Sequence, residues 1–153
     1  MNSIKKVILL ALLLASSNLF ADDSISVEPT TESKYTQADL DCLYKAVYNE
    51  TRGNEIHGAS MVVATILNRQ QSPIFPNNVC GVVYQKAQFT NVQKVQDRHI
   101  TQPLRDLVHD AVERYEKGLL NTSVLFFHSV HVRPKWSYIK KRVVKVGDHI
   151  FYR

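Results

Sequence analysis

Little in this chain of 153 residues is available for covalent or metal scaffolding, since it holds two cysteines, one tryptophan, five glycines and five prolines. Cys42 and Cys80 stand 38 positions apart, outside any Cys-x-x-Cys pair, so they make a poor zinc signature. No repeat of fixed period is present, which excludes solenoids and propellers. No low-complexity tract is present either, and beyond the extreme N-terminus no apolar run reaches the roughly 18 residues of a membrane-spanning helix. Hydrophobic residues at 44% and charged residues at 22% match an ordinary folded domain. The length allows one core and leaves no room for two.

The N-terminus has the form of a secretory signal. Lys5 and Lys6 precede an apolar stretch from Val7 to Ala15, and Ala21 is a small residue ahead of Asp22-Asp23. That stretch is short for a span, so the reading favours a cleaved signal over residues 1–21 rather than an uncleaved anchor. The expected location is therefore outside the cytoplasm, in a periplasm or at the cell wall. Without Lys5 and Lys6, the excess of basic over acidic side chains falls from five to three. That balance suits an anionic polymer, but equally nucleic acid or an anionic membrane. In an oxidising compartment, Cys42 and Cys80 are expected to form one disulfide.

Residues 22–35 are polar and without periodicity, the pattern of a linker, and the folded domain is expected over 36–153. Thr36 and Asp39 form a capping-box entry to a first helix, whose apolar residues recur at Leu40, Leu43, Tyr44 and Val47, with Gly53 as its stop. Ala59, Val62, Val63, Ile66 and Leu67 trace a second amphipathic helix. Pro73 and Pro76 mark a loop, and Val79 to Tyr84 is a short extended or helical piece. A further helix starts near Pro103, buries Leu104, Leu107, Val108, Ala111, Val112 and Tyr115, and ends at Gly118. The period then shortens. Val124 to Phe127 reads as a strand, and two strands, Val143 to Val146 and His149 to Tyr152, flank a Gly147-Asp148 hairpin turn. Helices followed by a small antiparallel sheet make an α+β domain.

Glu50 stands out. Spaced i, i+4, i+7 with Leu43 and Val47, it falls on the buried stripe in the last turn of the first helix. Desolvation and the negative end of the helix dipole both favour its protonated form, the state that a general acid needs. A buried ion pair is the competing reading. Arg52 points elsewhere on the helix, but Arg69, Arg98 and Arg142 remain possible partners.

The stretch Leu43-Tyr44-Lys45-Ala46-Val47-Tyr48-Asn49-Glu50-Thr51-Arg52-Gly53, followed by Gly58-Ala59-Ser60-Met61-Val62-Val63-Ala64-Thr65-Ile66-Leu67-Asn68-Arg69, resembles the SleB-type cell wall hydrolase family. Phe75-Pro76, Val79 to Tyr84, Gln88-Phe89, Leu125 to His128, Trp136 and the closing Gly147 to Arg153 fit in the same order. The resemblance implies a lysozyme-like α+β domain acting on peptidoglycan, with the glutamate that ends the first helix as catalytic acid. It departs at one point: the family reads Glu-Ala-Arg-Gly-Glu, whereas this chain has Glu50-Thr51-Arg52-Gly53-Asn54, with Glu55 one place further on.

Asp106, Asp110, Glu113 and Glu116 fall off the apolar face of their helix, Asp39 and Asp41 start the first helix, and Asp148 is in the hairpin turn. Only Glu55 and Asp97 are left as second carboxylates, so a single-acid lytic transglycosylase fits better than a two-carboxylate glycosidase, with hydrolysis by water still open. Tyr48, Gln88, Phe89, Trp136 and Tyr138 are candidates for sugar contact, and His128 and His149 for hydrogen bonds to substrate or to Glu50. No metal or cofactor is expected. The expected partner is peptidoglycan, met by a monomer with no nucleic-acid role and no membrane insertion once the signal is removed. Three alternatives compete: a zinc peptidase or amidase using His128, His131 and His149; a secreted ribonuclease using Glu and His; and a non-catalytic wall-binding module.

Overall fold

The structure, a computed structural model, describes residues 33–52, 56–120 and 123–153. The expected signal segment, most of the expected linker and residues Gly53, Asn54 and Glu55 lie outside the described residues. The compact unit runs from Ser33 to Arg153. Tyr35 is buried in the core, and the Lys34 amide donates to Glu116 Oε1 at 3.1 Å.

Helix α1 (Gln37–Thr51) opens as the sequence predicts, with Thr36 Oγ1 accepting from the Asp39 amide and the Asp39 carboxylate accepting from the Thr36 amide. It closes on Arg52 in the left-handed region, φ 53°, whose N–H reaches Tyr48 O. Helix α2 (Ile56–Gln71) buries Ala59, Val62, Val63, Ile66 and Leu67 completely. The sequence shows one apolar stripe, yet Ser60, Thr65, Asn68 and Arg69 are buried as well. Packed by α1, by α4 (Gln102–Glu116) and by the short α3 (Val79–Val83), α2 is the central rod of the domain.

Burial demands partners for polar groups, and Thr65, Asn68 and Arg69 find theirs, whereas Gln70 Oε1 is buried without one among the described residues. Thr65 Oγ1 donates to Met61 O, Asn68 Nδ2 to Val124 O, Tyr115 OH to Asn68 Oδ1 and Arg69 Nε to Leu125 O, all between 2.7 and 2.8 Å. The loop from Tyr84 to Thr101 carries two 3₁₀ turns, Val92–Lys94 and Asp97–His99. Helix α4 starts with Pro103 in its first turn, and Gly118 follows it at φ 70°. Among the described residues, no helix is long and apolar enough to cross a membrane.

The sheet is antiparallel in the order β1-β3-β2, from β1 (Phe126–Ser129), β2 (Arg142–Val146) and β3 (His149–Tyr152). The first strand lies two residues later than the apolar run suggests. Val124 sinks into the core, and the carbonyls of Val124 and Leu125 accept from Asn68 and Arg69. In β1 and β3, Phe127 pairs with Phe151 and Ser129 with His149, so these four share the face turned toward the helices. Phe127 packs against both the helical core and a smaller cluster of Met61, Val124 and Phe151. The opposite face is covered by the 3₁₀ turn Lys135–Tyr138, where Trp136 lies 5.4 to 5.7 Å from the rings of Phe126, His128 and Tyr152.

Cys42 of α1 and Cys80 of α3 form the expected disulfide, with Cα atoms 5.4 Å apart. It closes a loop that contains all of α2. Loop-closure entropy for a separation of 38 residues corresponds to about 4 kcal/mol at 25 °C. The Cys42→Ser/Cys80→Ser double variant is therefore expected to unfold at clearly lower urea with an increased cooperative slope, as monitored by far-UV circular dichroism.

Candidate active site

Glu50 lies in the last turn of α1, at the wall of a cleft of about 430 Å³ lined also by Arg69, Gln88, Phe126, Phe127, His128, Trp136, Lys140 and His149. Its side chain keeps 19% exposure, enough for a substrate atom to reach the carboxyl. Helical phase places it at the edge of the apolar stripe, where the core gives way to the cleft.

Four groups act on this carboxyl. Burial dominates and raises its pKa above the ordinary glutamate value. The Asn49 amide, which donates to Oε1 at 2.9 Å, opposes that shift, as do His149, Arg69 and Arg52 through their positive charge. His149 Nε2 is 3.8 Å from Oε2, while its Nδ1 is buried with no hydrogen-bond partner among the described residues.

Arg69 was one of three arginines left open by the sequence, and it is the one that the fold brings to Glu50. It is 4% exposed, tied through Nε to Leu125 O and packed 5.0 Å from the Phe75 ring and 5.7 Å from the Phe89 ring. Burial lowers its pKa to about 10, which still leaves it charged at neutral pH. The helical period of α2 gave no sign of this, because Arg69 reads as an ordinary basic residue in the last turn of a helix.

The remaining candidates divide. Gln88, His128, Trp136 and His149 line the cleft with Glu50. His128 is engaged at both ring nitrogens, Nδ1 with Ser129 O at 2.8 Å and Nε2 with Tyr152 OH at 2.9 Å, so it shapes the wall. Phe89 is buried, and its ring supports Arg69 and Phe127 from below instead of facing the cleft. Tyr48 lines a neighbouring groove with Asn49, Arg52, Lys94 and His99, its ring stacked on His99 at 4.8 Å. Tyr138 is exposed on the outer side of its turn. Asp97 lines another pocket with Asp41 and Arg105, so among the described residues Glu50 is the only carboxylate lining its cleft.

Among the described residues, no group of three or more His, Cys, Asp or Glu is placed to hold a metal ion. His128 and His149 project from opposite faces of the sheet, and both ring nitrogens of His128, a ligand in the zinc alternative with His131 and His149, are engaged by Ser129 and Tyr152.

Residues 53–152 match the family described as Cell Wall Hydrolase. The chain belongs to that family. Glu50 lies just before the matched segment, so the position of this acid is argued from geometry. Similar proteins include the spore cortex-lytic enzymes of Bacillus subtilis, 30% identical over 118 residues covering 76% of this chain and 38% of the relative, and of Bacillus cereus, 33% identical over 119 residues covering 76% and 45%. The chain thus spans less than half the length of these curated relatives. Among solved structures, it is similar to the catalytic domain of the germination-specific lytic transglycosylase SleB from Bacillus anthracis, with a TM-score of 0.64 and 32% identity over 78% of this chain and 98% of that one. The Bacillus cereus SleB catalytic domain matches with a TM-score of 0.63 at the same identity. The domain therefore has the lysozyme-like α+β architecture of the SleB catalytic domain.

Replacing Asn49 by Ala removes the donor that favours the ionised carboxyl. The Glu50 pKa in Asn49→Ala is expected to rise further, as followed by ¹³C carboxyl shifts across a pH titration. An unchanged midpoint would mean that the Asn49 contact has no hold on the acid.

Proposed function

We propose that this protein is a peptidoglycan lytic transglycosylase in which Glu50 acts alone as acid and then base. The observation that carries this reading is the isolation of Glu50: a desolvated carboxyl with a raised pKa in an open cleft that holds no second carboxylate among the described residues. A glycosidase of the ordinary kind needs two, about 5–10 Å apart. Family membership and the likeness to a catalytic domain titled as a lytic transglycosylase support the same reaction class.

In the first step, the Glu50 carboxyl gives its proton to the bridging glycosidic oxygen, and the bond from that oxygen to the muramic acid C1 breaks. The positive charge that develops at C1 forms beside the new carboxylate. In the second step, the carboxylate takes the proton of the muramic acid C6 hydroxyl while O6 bonds to C1, which closes a 1,6-anhydro ring and restores the acid. Arg69, Asn49 and His149 stabilise the carboxylate between the two steps. Gln88 and Trp136 offer an amide and a flat ring to the glycan.

The substrate lies outside the cytoplasm, which agrees with residues 1–21 as an export signal and with a Cys42–Cys80 disulfide. The test is digestion of purified sacculi by the parent and by Glu50→Gln, with the soluble products weighed. The variant is expected to release muropeptides at least about 100-fold more slowly. Parent products are expected to carry anhydro ends, lighter by one water (about 18 Da) than hydrolytic ends. Equal release by both proteins would remove Glu50 from the mechanism, and hydrated ends would make the enzyme a hydrolase.

A further inference from the structure

The segment 131–142 is used by the cleft on one side only. Trp136 and Lys140 face inward, with the Lys140 ammonium 3.6 Å from the Phe126 ring centroid. The same turn sends Tyr138 and Ile139 outward, 73% and 86% exposed, and Val132 precedes them at 54%. Around this apolar tip, Arg133, Lys135, Lys141 and Arg142 are exposed, and the segment contains no acid. Among the described residues, none of these four forms an ion pair with a carboxylate.

We propose that this turn is a docking surface for an anionic lipid bilayer, into whose headgroup region Tyr138 and Ile139 insert. The chemistry selects this occupant in two steps. Concentrated unpaired positive charge fits an anionic surface and repels a second copy of the same patch. A hydrated polyanion would be held by the cations alone, which leaves an almost fully exposed isoleucine at the tip without a role. Aliphatic and aromatic tips ringed by Lys and Arg are what an interfacial contact uses. This contact is peripheral, without a span, and it is independent of the reaction chemistry. Its consequence is positional: because Trp136 and Ile139 belong to one turn, docking holds the cleft mouth close to the membrane, so the glycan strands nearest the bilayer are the ones within reach.

The test uses the unit Ser33–Arg153, which contains the whole described core and the disulfide and omits the apolar segment 7–15. It is sedimented with vesicles of phosphatidylcholine alone or with about one-third phosphatidylglycerol, at low and high salt. Binding is expected only to the anionic vesicles, and it is expected to be lost at high salt. The Ile139→Ser/Lys141→Ser variant is expected to partition roughly tenfold more weakly, about fivefold of this from the lost cation. Its rate on sacculi in the absence of vesicles is expected to equal the parent's. Glu50→Gln is expected to bind vesicles like the parent, so a failure of the reaction scheme and a failure of the docking surface are separable. Equal binding to neutral vesicles, no binding to either, or unchanged binding by the double variant would overturn the proposal. Loss of sacculus binding by the double variant, with vesicle binding intact, would also overturn it and assign the patch to the wall polymer.

Discussion

A buried guanidinium holds the two parts of this domain in register. Arg69 leaves the last turn of α2, the most enclosed helix, and donates to the carbonyl of Leu125 just ahead of β1. With Asn68 donating to Val124, it fastens the sheet to the helical core at the point where the sheet begins. A cation withdrawn from water this far is tolerated only with compensation. It receives one carbonyl, two aromatic faces and the field of Glu50. The acid and the fastening that positions the opposite cleft wall are therefore electrostatically coupled.

That coupling explains the balance at Glu50. Desolvation alone would leave a carboxyl too reluctant to ionise, and direct pairing with a nearby cation would leave it unable to hold a proton. Here the positive groups act at a distance or through His149 at 3.8 Å, while the one short contact comes from a neutral amide. Burial wins, and the pKa stays above the ordinary value. The proposed acid-then-base role calls for such an environment, one that favours neither form outright.

Local signals were legible wherever they were chemical. The Thr36–Asp39 box, the run from Ala59 to Leu67, Pro103 and the Gly147 turn each act within a few residues, and each element forms where they indicate. Helical phase put Glu50 on the buried stripe of α1, with a buried ion pair as the competing reading, and the expectation that it is the acid came from the family resemblance. Two sugar-contact candidates, Phe89 and Tyr48, stand away from the Glu50 cleft. Phe89 looked like a loop aromatic, but Arg69 and Phe127 need a ring beneath them. Tyr48 sits two positions from Glu50, and on a helix that separation points it into a different groove. The late start of β1 follows from two side chains on α2, more than 50 positions away.

The strand order carries a consequence for the order of assembly. β3 lies between β1 and β2, which do not pair with each other, and it follows both in the chain. Neither earlier strand has a partner in this sheet until residues 149–152 have been made. His149 arrives with that strand, facing Glu50. A growing or partly threaded polypeptide thus contains the acid, the buried arginine and most of the cleft wall without the histidine beside them. Completion of the surroundings of Glu50 coincides with closure of the sheet, and a nascent form that stops before His149 lacks that histidine beside the glutamate.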